Sequence, residues 1–181
     1  MPPLDPWPLL ATLPRPDPRW FLRPDGEDAS GTIHGVSHTL RVMFHAAEIA
    51  DALGVSTWER ETVVLAALWH DIGRTHDGGD YYHGAKSAGK VVGLGLHEGV
   101  EQLRLALALY AVTHHSGDEG HGEHAAGWFD DKQAALRIFR ILKDADGLDR
   151  VRLHDLDPSM LRLPGSSGRV ERAEELLLIF L

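Results

Sequence analysis

No cysteine occurs among the 181 residues. Disulfides and thiolate metal sites are therefore excluded, and the expected setting is a reducing, cytoplasmic one in which the core alone holds the fold. Basic charge is scarce too: 18 Lys and Arg against 27 Asp and Glu leave a net charge of −9. Without a basic face to neutralise a phosphate backbone, polymeric nucleic acid is not an expected partner. Long apolar runs are missing. Runs such as Val63 to Trp69 and Leu176 to Leu181 fall far short of the ~20 residues of a membrane span. The opening Met-Pro-Pro-Leu-Asp lacks the basic-then-apolar order of a secretory signal, so no membrane partner is expected either. Strand-like alternation and internal repeats are also absent, which leaves an all-α architecture.

What is present is unevenly distributed. Eight of the ten prolines lie in residues 1–28, which predicts an extended arm pinned to the body by Trp7 and Trp20. Residues 29–181 then form one helical domain. A helix is expected from Thr32 to Leu53, where two apolar stripes imply burial on most sides. Ser56-Thr57-Trp58-Glu59 reads as a capping box opening the next helix, through Trp69. Further helices are expected at 83–92, 98–115, from Asp131 and at 169–181, with polar loops at 73–82 and 116–130. The apolar tail from Leu176 is a docked core helix or, alternatively, the face of a homodimer.

Twelve histidines are the unusual number. With no thiolate to share the work, so many imidazoles point to metal binding. Those that packing explains poorly are His38, His70, His83 and His114 or His115, together with Asp71 and Asp146. A buried carboxylate needs a cation or dense hydrogen bonding, and one metal would satisfy Asp71 and Asp146 together. His70 and Asp71 are adjacent, about 100° apart on a regular helix, and can converge where the helix loosens towards Gly73. Helical phase does not separate His114 from His115. His34 is a neighbour of the site or simply a helix-start residue, and His45 is a core histidine with a satisfied hydrogen bond. His76, His97 and His154 are surface residues. His121 and His124 belong to a solvated loop or a lid. Tyr81 and Tyr82 stack on a base or anchor their loop.

In chain order, His38-Thr39-Leu40-Arg41-Val42, Leu68-Trp69-His70-Asp71-Ile72-Gly73 and Lys143-Asp144-Ala145-Asp146 resemble the motifs of the HD-domain superfamily of metal-dependent phosphohydrolases. The resemblance covers roughly residues 30–155 and implies a compact helical bundle. It also implies a metal held by His38, His70, Asp71 and Asp146. His83-Gly84 and Thr113-His114-His115-Ser116 resemble the extra positions of the two-metal branch, with Asp71 bridging. His115 is favoured over His114 because the ligand in related motifs directly precedes Ser or Thr. The implied cofactor is a divalent transition metal, Fe, Mn, Co, Ni or Zn, in two copies. The implied reaction is attack of a metal-activated hydroxide on a phosphate ester or anhydride.

Asp71, Arg74 and Lys86 are then the catalytic candidates, and Arg41, His34 and Arg150 the substrate contacts. No Gly-Tyr-Pro follows His115, and Ile72-Gly73-Arg74 replaces paired acids after His70-Asp71, which argues against cyclic-dinucleotide and guanosine-tetraphosphate hydrolysis. A small phosphorylated substrate of nucleotide type is the expectation. A di-iron oxygenase on the same ligands and a non-catalytic nucleotide-binding module are the alternatives.

Overall fold

The arm is where the fold departs furthest from its composition. In a computed structural model, which describes residues 7–180, Trp7–Leu10 forms a helical turn, α1, and Pro18–Phe21 a 3-10 turn. Proline suits a first turn because its fixed φ is already helical and its missing N–H would have had no partner. Pro18 opens its turn on these terms, with the Asp17 carboxylate accepting from Arg19 N–H. Leu13 and Phe21 are buried in the core and Trp20 packs half-buried against it. The arm is thus folded onto the body rather than extended. The Trp7 side chain lies outside the described residues, as does Leu181.

The body follows as α2 (Val36–Leu53), α3 (Thr57–Trp69), α4 (His83–Gly93), α5 (Gln102–His114), α6 (Glu119–Ala125), α7 (Lys132–Leu148) and α8 (Val170–Ile179). Among the described residues there is no strand, only an isolated bridge between Leu22 and Asp28. α2 starts at Val36, not Thr32, because the chain doubles back first: a Cβ on Gly35 would sit 2.1 Å from the Ser30 carbonyl oxygen. α5 starts at Gln102, not Glu98, because Gly99 takes a left-handed φ of 78° and Glu101 then caps Leu103 and Arg104. The expected loop at 116–130 contains α6, which two glycines make a poor helix in isolation. Asp118 caps it and packing on α7 holds it; a Cβ on Gly122 would lie 2.4 Å from the Phe139 ring.

α2 is the central element, packed most extensively on α3 and α7 and buried on most of its surface, as its two stripes imply. The Ser56–Glu59 capping box forms as expected and contributes about 1 kcal/mol. Burial of Val63, Val64, Leu68 and Trp69 contributes about 1.5–3 kcal/mol per side chain, so packing rather than capping holds α3 in place. His45 departs from expectation. It is fully buried on α2, and neither ring nitrogen has a hydrogen-bond partner. Burial pushes its pKa down to about 4, so the ring is neutral in the folded chain. His97, expected at the surface, is half-buried.

Candidate metal centre

Four helices deliver histidines to one buried point: His38 from α2, His70 at the end of α3, His83 at the start of α4 and His115 just after α5. Each ring is fixed through Nδ1. His70 donates to the Ala67 carbonyl at 2.7 Å, His83 to the Asp80 carbonyl at 2.6 Å and His115 to the Val112 carbonyl at 2.7 Å. His38 donates to the Asp149 carboxylate at 2.6 Å. Since these oxygens can only accept, Nδ1 carries the hydrogen and Nε2 of a neutral ring presents a lone pair.

Those lone pairs face one another. His38 Nε2 stands 3.0 Å from His70 Nε2, and His83 Nε2 stands 2.9 Å from His115 Nε2. Two nitrogens each about 2.1 Å from one ion and at right angles to each other stand about 3.0 Å apart, so both pairs have the spacing of neighbouring ligands. Asp71 lies between the pairs. Its Oδ2 is 3.4 Å from His38 Nε2, and its Oδ1 is 3.0 Å from His83 and 3.7 Å from His115. Asp71 Oδ1 is buried without a hydrogen bond, a costly state that a cation would relieve. Asp146 Oδ1 completes the first side, 3.4 Å from His38 and 3.9 Å from His70. His38, His70 and Asp146 form one group able to hold a metal; His70, Asp71 and His115 form another.

The electrostatics suit a cation. Burial pushes the His70 imidazole down to about 3 and keeps it neutral. Burial alone would raise the Asp71 and Asp146 carboxyls, but the His70 imidazole and its neighbours outweigh it and hold both below the usual range. His38 runs the other way: burial pulls it down, yet the Asp149 and Asp71 carboxylates beside it win and raise it, so a metal at Nε2 would take the place of a proton. Ionised carboxylates among imidazole lone pairs are the donor set of a borderline transition metal.

The other sequence candidates fall in different places. Arg74 reaches the centre, with Nε 2.9 Å from Asp71 Oδ2 and Nη1 on the Gly78 carbonyl. His34 also reaches it. Its Nδ1 is 3.0 Å from Asp71 Oδ2 and 3.2 Å from Arg152 Nη2, and can donate to the first or accept from the second but not both. Arg41, read as a substrate contact, is buried with its guanidinium on Asp149 (2.6 and 3.1 Å) and the Phe180 carbonyl (2.6 Å). That corrects its assignment: it ties α2 to the chain end and has no surface to offer a substrate. Lys86 pairs with Asp80 at 2.7 Å and lines a different cavity from the one that opens on His115 and Asp146. Arg150 pairs with Asp155 and lines a cavity of about 400 Å³ that opens on His115 and Asp146. His114 is turned away, against the Tyr110 ring. The Tyr81 and Tyr82 side chains are exposed, so their rings are not buried anchors of the loop.

Two residues were not legible as candidates. Asp149 follows Asp146 by one helical turn and orients both His38 and Arg41; that spacing is the signal that finds it. Lys143 lines the same cavity as Arg150, held over the Phe139 ring with its ammonium 3.9 Å from Glu119. Gly73 lies in the expected turn after α3 and serves a second, packing purpose as well. A Cβ there would lie 2.2 Å from the Ser87 backbone nitrogen, so the glycine lets the His70-Asp71 segment press onto α4, where Gly73 N–H donates to Ser87 Oγ.

Among the described residues no helix is long and apolar enough to cross a membrane. No curated protein matches the chain. Among solved structures, the crystal structure of a predicted HD superfamily hydrolase from an uncultured Thermotogales bacterium matches with a TM-score of 0.56 at 24% identity. The match covers 90% of this chain and 83% of that one, and is a likeness of fold. The HD domain model matches residues 35–151, a segment that carries every histidine and carboxylate of the centre except His34. With well over half of its length matched, the chain belongs to the HD domain family.

Proposed function

We propose that this protein is a metal-dependent phosphohydrolase that holds two divalent ions and cleaves a phosphate ester or anhydride of a small nucleotide-like substrate. The observation that carries the reading is the pair of facing Nε2 couples with one oxygen of Asp71 turned to each. His38, His70 and Asp146 would hold one ion, His83 and His115 the other, and Asp71 would bridge them. Ions drawn from Fe, Mn, Co, Ni or Zn would supply a water acidified towards neutral pH and charge neutralisation on the entering and leaving oxygens.

The chain's own contribution is positioning. The four Nδ1 hydrogen bonds lock ring orientation and tautomer before any ligand arrives, which is what preorganised catalysis requires. Arg74 fixes Asp71 through Nε. In the cavity beside Asp146 and His115, Lys143 and Arg150 are the cations placed for non-reacting phosphate oxygens, while Arg162 is held by Glu119 and Asp144. Leu156, Met160 and Leu161 give its wall an apolar side for an organic group.

The test is elemental analysis of the freshly purified protein combined with phosphate release from mononucleotides, nucleoside triphosphates and dinucleoside polyphosphates. His70→Ala and Asp71→Ala are expected to lose both bound metal and turnover. Undiminished turnover in metal-free Asp71→Ala protein would sink the proposal. Oxygen uptake dependent on reduced iron, with no phosphate released from any substrate, would replace it with the oxygenase reading.

A further inference from the structure

A second cavity, of about 350 Å³, lies on the arm side of the centre. Its charged lining is wholly basic: Arg23 from the arm, Arg74 from the metal motif, and Lys86 and Lys90 from α4. Thr75 is the other polar side chain, and no carboxylate lines it. Three of these cations are offset by acids outside the cavity, Arg23 by Glu27 and Asp77, Arg74 by Asp71, and Lys86 by Asp80. Lys90 is not. Among the described residues its hydrogen bond is to the Leu22 carbonyl at 2.7 Å, and no carboxylate stands within ion-pair distance. Arg23 is 7% exposed, and its Nε is buried with no acceptor.

An ammonium without a counter-charge, set beside three further cations on one cavity with no carboxylate in its lining, is unfavourable, and an anion there would offset it. Lys90 offers a point charge on a flexible stem, and Arg23, Arg74 and Lys86 add to the local positive field. We propose that this cavity binds a phosphate-type anion, free phosphate or a distal phosphoryl group, at a subsite separate from the metal centre. Burial lowers the Lys90 pKa, consistent with a cation that lacks its counter-charge. The subsite is not assembled from the family-matched segment alone, since Leu22, Arg23 and Pro24 precede residue 35. Arg74 couples it to the centre, because the guanidinium that lines the cavity also hydrogen-bonds Asp71.

Binding at this subsite stands apart from the hydrolase reading; only its use by substrate rests on that reading. Inorganic phosphate and pyrophosphate are titrated calorimetrically into the metal-loaded full chain. Lys90→Gln is expected to weaken binding roughly tenfold or more, the loss of one charge-assisted hydrogen bond. Lys90→Glu abolishes binding and Lys90→Arg retains it, with metal content unchanged in the Lys90 series. Wild-type protein that binds neither anion overturns the proposal. So does Lys90→Glu protein that binds as tightly as wild type, which assigns the anion to the metal centre. Two kinetic signatures separate the sources. A substrate-borne phosphate raises KM for nucleoside triphosphates in Lys90→Gln and leaves monophosphate esters unchanged. A free anion alters monophosphate-ester turnover in wild type and not in Lys90→Gln. If no phosphate compound is turned over, the hydrolase reading fails while the calorimetry still decides the subsite.

Discussion

Replacing Asp149 by Asn tests whether the centre depends on its supporting hydrogen bonds as heavily as on its ligands. The carboxylate is fully buried and accepts from His38 Nδ1, Arg41 Nε and Arg41 Nη2. Asn keeps the shape but has one acceptor oxygen and no charge, so it cannot serve both residues. The Arg41 guanidinium, 4% exposed, is left without its counter-ion. Breaking a buried ion pair from one side costs about 3–5 kcal/mol. For a chain of this size that lowers Tm by roughly 6–20 °C, taking about 2–4 °C per kcal/mol. His38 also loses the partner that fixes its tautomer, and metal affinity is expected to fall roughly 10–100-fold. Thermal unfolding with and without chelator measures the first effect, and metal titration measures the second. Burial raises the Asp149 carboxyl, but hydrogen bonds and charge from His38, then Arg41, overcome it and hold the group below the ordinary range. Its stabilisation is therefore fully present above the unfolded value near 4 and lost as pH falls through the lower folded value. The gap between parent and variant must narrow only in acid. An Asn variant that melts within about 2 °C of the parent and binds metal equally well would refute the reasoning.

Other expectations follow from the same packing. Ala at Gly73 would drive a methyl into the α4 backbone, so Gly73→Ala should lose metal binding with a cost at or above the roughly 1–3 kcal/mol of an overpacked site; wild-type metal content would count against that. Ser56→Ala should cost about 1 kcal/mol and leave metal binding untouched, which a denaturant melt and a metal assay decide together. His45, folded near pKa 4 against about 6.5 unfolded, takes up its proton only when unfolded. Stability should therefore fall by roughly 3 kcal/mol as pH drops from 6.5 towards 4, and His45→Leu should flatten that part of the curve. Lys143→Ala should raise KM for phosphorylated substrates with metal content unchanged; an unaltered KM would remove Lys143 from the substrate cavity.

Helix identity was legible wherever a local rule governed it. The capping box at Ser56, the two stripes of α2 and the Asp131 start of α7 are sequence-near features, and the fold contains all three. The arm and α6 were not legible, because their helical turns are weak alone and are held by partners elsewhere. Phe21 is buried among core residues and Gly122 lies on Phe139. Arg41 shows the same limit at the site. Its position three residues after His38 suggested a substrate cation, while the carboxylate that claims it is 108 residues away.

By itself, then, the sequence determined the helical class and the residue types of the centre. An all-α pattern is written in 3.6-residue periodicity, and only imidazoles and carboxylates were available to a chain without cysteine. Which nitrogen faces inward, which histidine of the 114–115 pair reaches Asp71, and which carboxylate claims Arg41 were decided only by the tertiary structure. Those outcomes depend on hydrogen bonds and close backbone approaches between segments far apart in the chain. His70 and Asp71 lie in the turn after α3, as expected, but Gly73 also lets that turn press onto the α4 backbone, and no spacing along the sequence encodes that contact.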